Sequence, residues 1–167
     1  YNETKYDPLG DGNEHDRKVY RAISLSRTAQ SHILQMRNNV DSKHAAVQWI
    51  EMGVPSFNAY VPFFANADDT DVSYRELPKK MDLKSAFWLN QADLDFQKEL
   101  GEWCRRKIHE VDEHAKKLAG KQLTTYLTGQ NHEIASHCNA KAKELLFDLM
   151  TQGTELSKLT FKMDPNL

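Results

Sequence analysis

The order of apolar and polar positions divides the chain into a strand-forming first part and a helix-forming second part. Between residues 17 and 66 the apolar residues form short runs rich in β-branched and aromatic side chains, which predicts strands. Four such runs lie at residues 19–25, 33–36, 47–52 and 57–64. From residue 83 onward apolar residues recur at three- and four-residue steps, the period of an amphipathic helix. The pattern predicts an α+β fold, with antiparallel strands first and helices after.

Polar segments connect and flank these parts. Residues 1–16 contain one proline and two glycines and are interpreted as a loop that continues from something upstream. Residues 67–82 are acidic and then polar, and they predict a second loop with room for one helical turn. Residues 83–167 are predicted to be mostly helical. The chain of 167 residues, without an internal repeat, is expected to form a single, partial domain.

The third and fourth strand runs predict a hairpin. Only Gly53-Val54-Pro55-Ser56 separates them, a hairpin-length loop with turn-forming residues, so the pair is expected to be antiparallel. Pro62 removes a backbone donor from the fourth strand, which favours an edge position or a bulge. Both strands are apolar on both faces over part of their length, which indicates a sheet that is covered on two sides.

Two apolar stripes predict two long helices. The first stripe contains Phe96, Leu100, Cys104, Ile108, Val111, Ala115 and Leu118. The second contains Ile134, Cys138, Ala142, Leu145, Leu146 and Leu149, and this helix is expected to end near Gly153. Gly120 and Gly129 are interpreted as helix stops or kinks.

Composition excludes several classes of protein. The chain is 40% hydrophobic and 28% charged with a net charge of -2, so no basic surplus indicates a nucleic-acid or membrane-surface partner. No apolar run approaches the roughly 20 residues that span a bilayer. Cys104 and Cys138 lie in helical sequence, and their number favours free thiols in a reducing compartment, which predicts a cytoplasmic location.

Two histidine pairs are weak candidates for a metal site. His109 and His114 are five residues apart, as are His132 and His137. Five helical residues rotate a side chain by about 140°, so the members of each pair point to different sides. Solvated helix histidines are therefore the favoured interpretation. The acidic run at residues 68–71 lacks calcium-loop spacing and is interpreted as a solvated turn.

The cysteines and aromatic residues each have two interpretations. Cys104 precedes two arginines, which can lower a thiol pKa, but it lies on the apolar stripe and is favoured as core. Cys138 is favoured as core for the same reason. The aromatic residues of the last two strands line either the core or a pocket, with the core favoured. They are Trp49, Phe57, Tyr60, Phe63 and Phe64.

One arginine has a distinctive setting. Ser26-Arg27-Thr28 places it between two small hydroxyl side chains, with Ser31-His32 shortly after. From residue chemistry alone, a solvated arginine is the favoured interpretation.

Six short segments of the first 66 residues occur in a family-specific order. They are Tyr6-Asp7-Pro8, residues 16–21, residues 23–28, residues 31–35, Val47-Gln48-Trp49 and Tyr60-Val61-Pro62-Phe63. Together they resemble the dipeptidase A type of bacterial dipeptidase, a cysteine-type N-terminal-nucleophile hydrolase related to penicillin V acylase. The stretch Ser85-Ala86-Phe87-Trp88 resembles the next marker of that family, and the similarity weakens through the helical tail.

The resemblance implies a four-layer αββα fold and hydrolysis of dipeptides with broad side-chain tolerance, without metal or cofactor. An N-terminal cysteine would attack the peptide carbonyl while its own α-amine acts as the base. This chain begins with Tyr1, whose phenol cannot replace that thiol, and both of its cysteines are internal. The chain is therefore expected to be a C-terminal part that is inactive alone, with the N-terminal half of the protein as its partner. A homo-oligomer is the other partner considered.

The resemblance also assigns a supporting catalytic role to Arg27. In the acylase relatives an arginine in a Ser-Arg corner lies beside the nucleophile, and Ser26-Arg27 resembles that corner. Its planar guanidinium would hold a carboxylate or steady charge near the thiolate. The substrate-binding residues stay unassigned. Ala22, and Ala29 with Gln30, depart from the family pattern, which has proline and Gln-Glu there.

A different class of function is the alternative. Residues 84–160 would then form a non-catalytic helical interaction module on a small antiparallel sheet. A partial sandwich should leave apolar sheet exposed, whereas such a module should be self-contained.

Overall fold

The computed structural model describes residues 28–151, except for 54, 56, 57, 77, 81 and 91–96. The described strands are β1 (Gln30–Met36), β2 (Ala46–Met52) and β3 (Val61–Phe64). A 3-10 helix (Val72–Tyr74) follows, and then α1 (Ala86–Leu89), α2 (Gln97–Ala115) and α3 (Gly120–Thr151). The predicted α+β class, with strands first and helices after, is confirmed. The single helical turn expected within residues 67–82 is the 3-10 helix. The predicted strand at 19–25 lies outside the described residues.

The three strands form one antiparallel sheet in the order β1-β2-β3. The predicted hairpin is therefore confirmed, but its fourth run forms a shorter strand than expected. Residues 58–60 do not pair with β2, and Asn58 Nδ2 instead donates to the Asn90 carbonyl at 2.7 Å. β2 ends at Met52 and β3 begins at Val61, so the two strands are farther apart in the sequence than expected.

Both flanks of β3 are closed. Within the described sheet β3 pairs only with β2, which agrees with the edge position expected from Pro62. On its other side the amide of Asn131, from α3, bonds to the backbone of Phe64. All four residues of β3 are buried. The predicted cover on two sides is therefore complete for β3 and partial for β2.

Alternation along the strands defines two faces, because residues directly opposite each other share a face. The face that carries Ser31, Ile33, Val47, Trp49, Glu51 and Phe64 is called face 1. The face that carries Leu34, Met36, Gln48, Ile50 and Phe63 is called face 2. Burial rises from β1, which is almost entirely exposed, through β2 to β3.

The helices confirm the first apolar stripe from Leu100 to Ala115 and correct the interpretation of one glycine. Of the remaining stripe residues, Phe96 lies outside the described residues and Leu118 follows the end of α2. Gly120 has φ +52°, a left-handed conformation that suits glycine, and it is the first residue of α3, so it marks a helix boundary as predicted. Gly129 neither stops nor interrupts α3, which runs on for 32 residues. Buried side chains at Leu127 and Ile134 flank this glycine. Their packing outweighs the cost of one interior glycine, about 1 kcal/mol.

The core joins both long helices to the sheet. Buried residues of β2 and β3 form one cluster with the apolar stripes of α2 and α3. Cys104 and Cys138 meet inside it, with their Sγ atoms 3.9 Å apart, and both are free thiols. The core position predicted for the two cysteines is confirmed. None of the helices in the described part of the chain combines the length with the apolar composition that a membrane span requires.

Candidate functional site

A cleft of about 700 Å³ lies between the β1–β2 hairpin and α2. Its apolar walls include Ile33, Met36 and Trp49 from the strands. Polar groups enter it from the connection after β2, through Asn58 and Tyr60, and from α2, through Arg105. Apolar walls with a few polar groups are typical of small-molecule sites.

Two side-chain hydrogen bonds fix the positions of polar groups near this cleft. The indole Nε1 of Trp49 donates to Gln35 Oε1 at 2.9 Å, across the β1–β2 pair. The Tyr60 hydroxyl lies 2.8 Å from Ser31 Oγ, within hydrogen-bond distance. The orientation of both aromatic rings is therefore set by β1.

A buried carboxyl group lies behind the polar end of the cleft. Glu51 is directly opposite Ser31 in the sheet and is fully buried. Neither of its carboxyl oxygens has a hydrogen-bond partner among the described residues. Burial raises its pKa from 4.5 to about 8, and the adjacent Asn58 amide offsets part of that rise. Glu51 is therefore largely protonated at neutral pH.

The connection after β2 is fixed against the end of α1. Gly53 has φ +104° and donates its N–H to the Ala29 carbonyl at 2.8 Å. A Cβ at this position would lie 2.7 Å from the Asn90 carbonyl oxygen and 3.0 Å from Asn58 Nδ2. Only glycine fits here without displacing the Asn58–Asn90 contact.

A second buried polar cluster joins the β1–β2 connection to α2. The Arg37 guanidinium forms an ion pair with Asp112 and donates to the carbonyl oxygens of His44 and Ala45. His44 Nε2 lies 3.7 Å from the second Asp112 oxygen. All three side chains are almost fully buried. The His44–Asp112 pair has the composition of a general base with its orienting group, but a substrate cannot reach it.

Arg27 is the catalytic residue predicted from the sequence, and it lies outside the described residues. Two of the predicted aromatic residues, Trp49 and Tyr60, line the cleft, while Phe63 and Phe64 belong to the core. Both interpretations of the aromatic set therefore hold, for different members. Phe57 lies outside the described residues.

The interpretation of solvated histidines is confirmed for one pair and holds only in part for the other. His109 and His114 are exposed on α2. His132 is half-buried, with its Nδ1 3.4 Å from Asp71 Oδ2, and His137 stacks on Trp103 at 3.7 Å. Burial lowers the pKa of His137, and Lys141 adds to that effect. His132 and His137 therefore contact other protein groups as well as solvent.

The acidic run is also more structured than expected. Asp71 accepts hydrogen bonds from the backbone and hydroxyl of Ser73 and begins the 3-10 helix. Burial opposes ionisation of Asp71, but the Ser73 hydrogen bonds and His132 hold its pKa below 3.8. The prediction of a solvated turn is wrong for this residue, because it is the helix cap. Asp68 and Asp69 are exposed.

The two buried carboxyl groups were absent from the sequence-based candidates, although each interrupts a pattern. Glu51 follows Val47 and Trp49 at the alternating positions of one strand face. Asp112 stands four residues after Ile108, next to the apolar stripe of α2. A charged residue at a position where the period calls for an apolar one was the signal that could have found both.

Comparison with known proteins assigns the family. Residues 1–99 match peptidase family C69. Over its whole length the chain is 53% identical to a probable dipeptidase of Latilactobacillus sakei, of which it covers 38%. It is 32% identical to dipeptidase A of Lactobacillus helveticus, over 98% of the chain and 38% of that protein. The chain belongs to peptidase family C69, and the resemblance drawn from its motifs is confirmed.

The chain spans less than two fifths of the length of the relatives that it matches. The same holds for a probable dipeptidase B of Lactococcus lactis subsp. lactis strain IL1403, 31% identical over 96% of the chain and 37% of that protein. The chain thus corresponds to a C-terminal portion of longer proteins.

Proposed function

We propose that the longer polypeptide containing this chain hydrolyses dipeptides, with the thiol of an N-terminal cysteine, upstream of this chain, as nucleophile. The observation that carries the proposal is the match of the whole chain to a probable dipeptidase at 53% identity. In this proposal the chain supplies part of an αββα sandwich and no metal or cofactor takes part. The proposal also places the protein in the cytoplasm, which cell fractionation would test.

The two cysteines of this chain support a nucleophile that lies elsewhere. Cys104 and Cys138 are 0% and 3% exposed, and neither lines the cleft between the β1–β2 hairpin and α2. The contact with Cys104, together with burial, raises the pKa of the Cys138 thiol well above its usual range. Attack on a carbonyl requires an accessible thiolate. The sequence contains no other cysteine.

The proposed reaction proceeds in two stages. The free α-amine of the N-terminal cysteine accepts the thiol proton, and the sulfur attacks the scissile carbonyl. Backbone or side-chain donors stabilise the resulting oxyanion until the C–N bond breaks, and the leaving amine takes up the proton. Water then hydrolyses the acyl-enzyme and restores the thiol. Arg27 is proposed to steady the negative charge near the sulfur or to hold a substrate carboxylate.

The exposed apolar surface of β1 supports this proposal over a helical interaction module on a small antiparallel sheet. Ile33, Leu34 and Met36 are 52%, 72% and 71% exposed. A partial sandwich should leave such surface on its sheet, whereas a self-contained module should not.

The test compares the longer polypeptide with the 167-residue chain on a series of unblocked dipeptides. Only the longer polypeptide should release amino acids, and a chelator should leave its rate unchanged. Replacing its N-terminal cysteine with alanine should abolish hydrolysis, whereas Cys104→Ala and Cys138→Ala should retain it. Turnover by the 167-residue chain, or by the variant without the N-terminal thiol, would overturn the proposal.

A further inference from the structure

Cys104 on α2 and Cys138 on α3 meet between the two long helices, and they are called the thiol pair. Their Sγ atoms lie 3.9 Å apart, so either thiol can donate a hydrogen bond to the other. Both residues are buried in the core cluster that joins the helices to the sheet. The proposed hydrolysis uses neither thiol, which leaves the pair as a buried nucleophilic group without an assigned role.

Two neighbouring contacts show that α2 and α3 run antiparallel, side by side, in a fixed register. The Trp103 ring stacks on the His137 ring at 3.7 Å, and Lys107 Nζ donates to Glu133 Oε1 at 2.7 Å. Four positions forward along α2 therefore correspond to four positions back along α3. Each cysteine directly follows one of the two stacked residues, so the register that pairs the rings also brings the sulfur atoms together.

The separation of the two sulfur atoms is small enough for a covalent bond to form between them. A disulfide joins its sulfur atoms at about 2.05 Å, so the gap has to close by about 1.9 Å. Rotation about the two Cα–Cβ bonds moves the sulfur atoms, while the helix register keeps the residues opposite each other. Both cysteines are free thiols in this structure, which is therefore the reduced state of the pair.

Burial determines when the thiol pair can react. The contact with Cys104, together with burial, raises the pKa of the Cys138 thiol, so little reactive thiolate forms while the helices are in contact. An oxidant reaches the sulfur atoms when α2 and α3 move apart in a local opening. A bond formed at that moment restricts the next opening, because it links residues that are 34 positions apart in the chain.

We propose that Cys104 and Cys138 are a redox-sensitive site, which forms a disulfide on reaction with a peroxide and thereby fastens α2 to α3. One sulfur attacks hydrogen peroxide, the O–O bond breaks, and the departing hydroxide takes up the thiol proton, which leaves a sulfenic acid and water. The second thiol then displaces the sulfenic oxygen as a second water molecule, and the S–S bond forms. A small dithiol reverses the reaction by thiol–disulfide exchange. The inference concerns the helices of this chain and does not depend on the proposed function.

The experiment treats the longer polypeptide with hydrogen peroxide under native conditions. The remaining thiols are alkylated, and the protein is digested without a reductant. We expect peptide mass spectrometry to find the Cys104 and Cys138 peptides joined, and to find them separate again after treatment with dithiothreitol. Cys138→Ala is the matched control, because it retains every other thiol of the polypeptide and should give no joined peptide.

Hydrogen exchange tests whether the bond fastens the helices, and it compares oxidised with reduced protein without any variant. Amides of α2 and α3 that exchange through opening of the helix pair should slow by about 10²–10³-fold on oxidation. The chain-entropy model gives a factor of about this size for a cross-link across 34 positions. In Cys138→Ala, peroxide should leave the exchange of these amides unchanged.

Several outcomes would overturn the inference. Thiols that stay unreacted, or sulfinic or sulfonic acid at either residue without a joined peptide, would show that the two sulfur atoms do not bond. A joined peptide that forms only in denaturant would show that the folded helices do not bring them together. A bond from Cys104 to any cysteine other than Cys138 would assign a different partner. Equal exchange in the oxidised and reduced proteins would show that the bond does not fasten α2 to α3.

Discussion

Asn131 closes the edge of β3 with one side chain, since its Oδ1 accepts the Phe64 N–H at 2.8 Å and its Nδ2 donates to the Phe64 carbonyl at 3.2 Å. The amide takes the place of a neighbouring strand at that residue. We expect Asn131→Ala to lower the free energy of unfolding by about 1–3 kcal/mol, because two buried backbone groups lose their partners. Urea denaturation measures the change. The exposed Gln122→Ala, on the same helix, should stay within about 0.5 kcal/mol of the parent.

Glu51 should make the stability of the fold depend on pH. Its pKa is about 8 in the folded state and near 4.5 when exposed, so between these values the folded state binds more protons than the unfolded state. Stability contributed by this group is therefore present below pH 4.5 and is lost as the pH rises through 8. We expect Glu51→Gln to match the parent near pH 5 and to be more stable than the parent at pH 8.5. Denaturant midpoints at a series of pH values measure this difference, with the exposed Glu102→Gln as control. Parallel pH profiles for parent and Glu51→Gln would contradict the assignment.

The Arg37–Asp112 ion pair should be costly to break from one side. Asp112→Ala leaves a buried guanidinium without its counter-charge, and we expect a loss of about 3–5 kcal/mol. Each single substitution already removes the Arg37–Asp112 ion pair. The double variant Arg37→Ala/Asp112→Ala should therefore lose less unfolding free energy than the two single variants lose in sum. Thermal or urea unfolding of the four proteins measures the coupling. The exposed pair Lys116–Glu113 is the control, for which Lys116→Ala should cost less than about 1 kcal/mol. Additive losses at Arg37 and Asp112 would show that the pair is not coupled.

Two glycines should respond to alanine in opposite directions. Gly53→Ala forces a Cβ to 2.7 Å from the Asn90 oxygen at φ +104°, and we expect a loss of more than about 1 kcal/mol. Gly129→Ala meets no atom within 4 Å inside α3 and should gain about 0.5–1 kcal/mol. The denaturation midpoints of the two variants, compared with that of the parent, test both expectations. A Gly53→Ala protein as stable as the parent would contradict the steric conflict described for Gly53.

Arg27 is tested in the longer polypeptide. If its guanidinium steadies charge near the nucleophile, Arg27→Ala should lower kcat/KM for dipeptides by about 10²–10³-fold. Arg27→Lys should recover only part of the loss, because an ammonium lacks the planar fork. The matched control is Arg75→Ala, an exposed arginine paired with Asp69, which should leave kcat/KM unchanged. Equal rates for the Arg27 and Arg75 variants would remove Arg27 from the site.

Local pattern was sufficient to predict β1, β2 and the long apolar stripe of α2, since each depends on neighbours within a few residues. It failed where distant contacts decide the outcome. β3 begins only at Val61, and Asn58, which the pattern placed in the strand, bonds to Asn90, 32 positions later. The Arg37–Asp112 pair joins residues 75 positions apart, and no short window of sequence contains both. For the site, the sequence pattern favoured a core position for the aromatic residues, two of which line the cleft, and it did not identify Glu51. The role of Arg27 stays a prediction from the family resemblance.

The long reach of these polar contacts bears on the order in which the molecule folds. Only residues 116–119 connect α2 to α3. Because this loop is short, bringing the two helices together costs little loop-closure entropy. The bonds from Asn131 to Phe64 and from Asp112 to Arg37 enclose 67 and 75 positions of chain. Contacts of that separation slow a folding transition. We infer that the helical pair collapses first, and that the sheet is added to it when the two polar contacts close.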